Sequence, residues 1–132
     1  MIMDSSALIA VLREEPEGLS FMRIIDHSPA CCISAANFVE TAVVLDSGRD
    51  PVISRRLEEF LSTAGIAIEP VTEQQAHIAR EAYRDFGKSS GHPAKLNFGD
   101  CFAYALAKDK GEPLLFKGRD FAQTDIAPAV RY

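Results

Sequence analysis

The sequence predicts an α/β fold in which a mostly parallel central sheet is flanked by helices on both faces. Three observations predict it. Short apolar runs alternate along the chain with longer segments of helical periodicity, the pattern of repeated strand–helix units. The runs at 1–3, 31–33 and 114–116 are apolar without alternation, as in strands buried on both faces. Helix start and stop signals fall between the runs: Asp4-Ser5-Ser6, Ser34, Asp50-Pro51 and Thr72 as starts, Gly65 and Gly111 as stops.

Composition bounds the rest. The chain has 132 residues, 47% of them hydrophobic, which predicts one domain over 1–132 with a single core. No run reaches the ~18 to 20 apolar residues of a membrane span. The start, MIMDSSALIAV, lacks the basic region of a signal peptide, so a cytoplasmic protein is expected. Three cysteines, two of them adjacent and none in a CxxC pair, read as small buried hydrophobes. Three dispersed histidines form neither HxxxH nor HExxH, which gives a zinc site or a Ser-His-Asp triad no support. The net charge of −5 argues against a protein that coats nucleic acid by charge alone. That charge is uneven. Residues 1–66 hold ten acids against five bases, while 67–132 hold nine of each. Arg80, Arg84, Lys88, Lys95, Lys108, Lys110, Lys117 and Arg119 suggest a local basic rim, although solvated faces explain them equally well.

In chain order, the first strand is 1–3, and a helix carrying Ala7, Leu8, Val11 and Leu12 follows, capped by Asp4 or a serine. A charged break at 13–18 leads to a helix with Leu19, Phe21, Ile24 and Ile25, ending near Pro29. The second strand is 31–33. Ser34 then caps a helix from Ala35 to about Asp46 that is apolar nearly all round except at Asn37, Glu40 and Thr41. Those three share one face. Asp50-Pro51 opens the next helix, and Ile66 to Val71 forms the third strand, in which Glu69 is structural. Thr72 caps a helix to Phe86, with Gln75 as its expected capping-box partner. A polar loop at 87–93 precedes a largely buried helix from about Asp100 to Lys110. Leu114–Phe116 is the fourth strand, and the remainder holds a last short strand at most.

Four acids occupy comparable places in this layout. Asp4 and Asp120 follow buried strands, Asp100 opens a buried helix, and Glu40 points inward from the helix after the second strand. In open α/β sheets, sites form outside the carboxyl ends of the strands. Each acid also has an ordinary reading, as a helix cap, a loop residue or half of a salt bridge. Gathered in one crevice, the carboxylates would repel and raise each other's pKa, unless a hard divalent cation neutralised them. Mg²⁺ or Mn²⁺ with oxygen ligands suits such a set. Its natural chemistry is phosphodiester hydrolysis without a covalent intermediate.

Asp4-Ser5-Ser6-Ala7-Leu8, Glu40, LNFGDCFAYALAK (96–108) and LLFKGRDF (114–121) together resemble a PIN domain, and more closely a VapC-type toxin of a bacterial toxin–antitoxin pair. The likeness covers essentially the whole chain. It implies a three-layer α/β/α PIN-like fold and a Mg²⁺- or Mn²⁺-dependent endoribonuclease. It also implies a cognate antitoxin as inhibitor, an RNA substrate and a homodimer. Matched by motif, the acidic quartet falls on Asp4, Glu40, Asp100 and Asp120, with Ser6 where the family often has a hydroxyl near the metal. Asp125 is a nearby rival for the fourth place. The resemblance implies Asp4 and Asp100 as direct or water-mediated metal ligands, and Glu40 and Asp120 as completing the shell or orienting water. A DNA-directed PIN-like domain and a non-catalytic metal-binding module remain as alternatives. An aspartyl phosphatase would want DxD after the first strand, and Asp4-Ser5-Ser6 lacks it.

Overall fold

Very short strands form the sheet. In a computed structural model of the chain, which describes residues 1–130, β1 (Ile2–Met3) and β4 (Leu114–Leu115) have two residues each. β2 (Cys31–Ser34) and β3 (Ile66–Glu69) have four. All pairings are parallel, in the order β3-β2-β1-β4. Six helices connect them: α1 (Ser5–Leu12), α2 (Gly18–His27), α3 (Ala35–Ser47), α4 (Pro51–Ala64), α5 (Glu73–Phe86) and α6 (Phe98–Lys110).

Alternation along the strands divides the core in two. Ile2, Cys32 and Leu114 pack under α5 and α6, with Ala103, Leu106 and Phe116. Met3, Cys31, Ile33 and Leu115 face the opposite layer, with Leu8, Phe21, Leu45 and Leu57 from α1 to α4. Apolar residues on both faces are what a sheet covered on both sides requires, and the three-layer α/β/α arrangement is as the sequence predicts. The chain leaves β1 toward one layer and arrives at β4 from the other. The crevice beyond the carboxyl ends of β1 and β4 is therefore a topological switch point, and Asp4 and Asp120 lie on its rim.

Three local expectations need correction. α3 is not buried nearly all round, since Val39 is 56% exposed and Val43 61%. Gln75 does not complete a capping box: Thr72 Oγ1 accepts from the Gln75 amide, but the Gln75 side chain donates to Asp109 instead, at 3.2 Å. Asp100 does not open its helix. Asn97 is the N-cap and Asp100 lies three residues on, each side chain accepting from the other's backbone N–H at 2.8 and 3.0 Å. The tail after Asp120 stays within the expectation of a short strand at most: among the described residues it has a 3₁₀ turn at Phe121–Gln123 and a single bridge between Leu114 and Pro128 at the outer edge of β4.

Candidate active site

Asp4 follows β1 directly, and its own backbone N–H donates to Leu115 O at 2.9 Å, continuing the β1–β4 ladder. The carboxylate caps α1. Oδ2 accepts from the Ser6 amide at 3.0 Å and from the Ser6 hydroxyl. Ser6 Oγ in turn accepts from the Lys117 amide at 3.0 Å, which ties the ends of β1 and β4 together through one hydroxyl. The Asp4 side chain is buried, and Oδ1 has no hydrogen-bond partner. Burial, with the charges of Asp100 and Glu40 adding to it against the bonds from Ser6, pushes its pKa from 3.8 up to about 7.

Glu40 reaches the same crevice from α3. Oε1 accepts from Ser5 Oγ and, at 3.3 Å, from Asn37 Nδ2. Its other oxygen lies against the start of α6, so close that a Cβ on Gly99 would fall 1.8 Å from Oε2. Asn37 is wholly buried and also donates to Gly99 O at 2.9 Å. The polar face of α3 noted in the sequence thus has a structural cause. Asn37 and Thr41 turn inward, and Glu40 reaches the crevice.

Asp100 is held by the Asn97 amide in the first turn of α6. Its ordinary role as a capping partner and its place in the crevice coexist. Its pKa is pushed up to about 6, by burial first and then by the charges of Glu40 and Asp120, with the Asn97 bond and Lys88 opposing. Asp120 is the most open of the four, on the exposed loop after β4. Asp125 lies elsewhere. Its carboxylate accepts from Lys108 Nζ and, at 2.7 Å, from the Tyr104 hydroxyl, and those bonds hold its pKa below the ordinary range. The fold therefore brings Asp4, Glu40, Asp100 and Asp120 into electrostatic contact and leaves Asp125 out.

Sequence reading passed over Ser5, Asn37 and Gly99 as site residues. Ser5 adjoins the more obvious Ser6, and only the fold reveals that the two hydroxyls serve different carboxylates. Asn37 gave a signal, as a polar residue on an apolar helix one turn before Glu40. The basic rim is also smaller than the sequence suggested. Arg84 pairs with Asp85, Lys108 with Asp125, Lys110 with Glu69, and Lys117 with Glu15 and Glu17. Among the described residues Arg80, Lys88, Lys95 and Arg119 make no ion pair.

The crevice fits a hard divalent cation. Its donors are carboxylate oxygens, one of them buried without any partner, and mutual repulsion among them is relieved by positive charge. Cys101, next to Asp100, does not compete as a ligand. Burial pushes its thiol up to about 11, and Sγ donates to Asn97 O. Among the described residues no three acids, histidines or cysteines close into a ready metal shell.

An all-parallel α/β fold with carboxylates gathered outside the carboxyl ends of its central strands places a candidate site at the switch point of the sheet. The PIN domain profile matches residues 1–127, and the chain belongs to the PIN domain family. It is 52% identical over 130 residues to the ribonuclease VapC28 of Mycobacterium tuberculosis, spanning 98% of each chain. Its fold is similar to the crystal structure of M. tuberculosis VapC20, a sarcin-ricin loop cleaving toxin (TM-score 0.77, 18% identity, 99% of this chain and 98% of that one). It is also similar to a toxin–antitoxin complex from Klebsiella pneumoniae (TM-score 0.73, 18% identity, with the same coverage).

Proposed function

We propose that this chain is the toxin of a toxin–antitoxin pair: an endoribonuclease that hydrolyses RNA phosphodiester bonds with Mg²⁺ or Mn²⁺. In this reading it works in the cytoplasm as a homodimer, and a cognate antitoxin keeps it inactive. One observation carries the chemistry. Asp4 is a buried carboxylate with a free Oδ1, facing the charges of Glu40 and Asp100, and burying such a group is costly without a cation to receive it. The ribonuclease relative spanning nearly the whole chain supports RNA as the substrate. The Klebsiella complex, whose fold this chain shares, supports an antitoxin partner. Val39, Val43 and Phe98 support the homodimer. They are 56%, 61% and 78% exposed, on the two helices that carry Glu40 and Asp100, and a second copy would cover them.

The residues divide the work. Asp4 and Asp100 hold the cation, directly or through water. Glu40 and Asp120 complete its surroundings and orient the attacking water toward the phosphorus. When bound, the cation activates water and neutralises the charge building on the phosphate. Ser6 fixes the Asp4 rotamer through its bond to Oδ2. Lys88 and Lys95 contact the RNA backbone as point charges, and Arg119 through its guanidinium fork.

Cleavage of total cellular RNA by the antitoxin-free protein tests the proposal, with Mg²⁺, with Mn²⁺ and with EDTA, beside single-stranded DNA. Metal-dependent RNA cutting that is lost in a folded Asp100→Asn variant is expected. Full activity in that variant would refute the assignment of the site. Cutting of DNA alone would refute the choice of substrate.

A further inference from the structure

Three elements converge on one carboxylate. Ser5 is the first residue of α1, Asn37 lies in α3 one turn before Glu40, and Gly99 is the second residue of α6. The Ser5 hydroxyl has two acceptors in reach, Glu40 Oε1 and Asn37 O at 3.2 Å. Thr41 Oγ1 already donates to Asn37 O at 2.8 Å, so the single Ser5 proton belongs to Glu40, by far the nearer acceptor. Both amide protons of Asn37 are committed as well, one to Glu40 Oε1 and one to Gly99 O. Asn37 is 0% exposed and its own Oδ1 has no partner. A fold indifferent to the Glu40 rotamer would place an apolar side chain there at lower cost. On the far side, the notch at Gly99 exists because residue 99 has no Cβ. Donors fix one oxygen, and the missing methyl admits the other.

We infer that Ser5 and Asn37, with the notch at Gly99, are positioning residues that set the Glu40 carboxylate for cation binding at the Asp4–Asp100 crevice. This rests on the metal-nuclease reading above. It adds that the site's affinity depends on residues that touch neither cation nor RNA. Groups that orient ligands in this way typically govern about 10- to 100-fold in metal affinity.

The test is Mn²⁺ affinity of the antitoxin-free protein, read from the spin-resonance signal of free Mn²⁺, for wild type, Ser5→Ala, Ser5→Thr and Gly99→Ala. Metal affinity separates positioning from a purely structural role, which would move only the melting temperature. Ser5→Ala is expected to bind Mn²⁺ about 10- to 100-fold more weakly, and Ser5→Thr, which keeps the hydroxyl, to bind like wild type. Gly99→Ala, which pushes Glu40 aside from the opposite direction, is expected to weaken binding without touching the donors. Unchanged affinity in Ser5→Ala, or an equal loss in Ser5→Thr, would overturn the positioning role while leaving the nuclease reading intact. A wild-type protein that bound no Mn²⁺ would overturn both.

Discussion

Replacing Asp4 by Asn should make the metal-free protein more stable, by an amount that grows from about pH 4 and reaches its full size above pH 7. Asn is nearly isosteric. Its carbonyl can keep the bonds from the Ser6 amide and hydroxyl, and its amide would replace the unpartnered Oδ1 with a donor facing the neighbouring carboxylates. The pKa of Asp4 is about 7 in the folded chain and 3.8 as its ordinary value. Between those pH values the folded state holds a proton that the unfolded state has lost, so stability falls as pH rises through that window. Above it the folded state carries the full cost of a buried charge. At ~1.4 kcal/mol per pH unit the gap sets an upper bound of about 4 kcal/mol. Relaxation and water entry lower this, and a gain of about 1–3 kcal/mol at pH 8 is expected, or about 3–10 °C in melting temperature for a chain of this size. Thermal melts followed by circular dichroism in EDTA, at pH 8 and pH 5, measure it. The gap should shrink to roughly a third at pH 5, where the folded carboxyl is protonated but the unfolded one is already ionised, and close only below the unfolded value of 3.8. A variant less stable than wild type at pH 8, or a gap independent of pH, would refute the reasoning.

Two further outcomes are expected. Asp125→Ala should leave RNA cleavage unchanged, because Asp125 is tied to Lys108 and Tyr104 away from the crevice. It should lower stability by about 1–2 kcal/mol, from an exposed ion pair and one lost hydrogen bond, as denaturant titration would record; loss of cleavage in a folded protein would restore Asp125 as the fourth acid. Val43→Glu places a charge on the exposed apolar face of α3 and, if the chain forms the proposed homodimer, should convert it to a folded monomer by light scattering, whereas an intact dimer would move the interface elsewhere.

Much of this architecture was legible because local signals and tertiary structure agree. The unbroken apolar runs became strands, and caps at Ser34, Asp50 and Thr72 began the helices they announced. The acids were legible as a set because strand ends and helix starts converge geometrically in a parallel sheet. The exposure of α3 was illegible for one reason: periodicity reports which residues are apolar, not which are covered. Val39 and Val43 are as apolar as Leu45, yet only Leu45 meets the core. Two of the partners of Glu40 were illegible for another reason. Ser5 and Gly99 lie 35 and 59 positions away in the sequence, and nothing local marks a glycine as the wall of a carboxylate's notch.

The bond from the Asp4 amide to Leu115 O has a consequence for how the protein can be silenced. β1 and β4 are two residues long, so this bond is a sizeable part of what joins them, and the Lys117–Ser6 bond extends the same seam. Deforming the crevice would mean opening the middle of the sheet, at a cost approaching that of unfolding the chain. An inhibitor is better served by lying over the acids than by prying them apart. Amide exchange at Asp4 would then be as slow in the inhibited complex as in the free toxin, and release of the inhibitor would return a site already assembled.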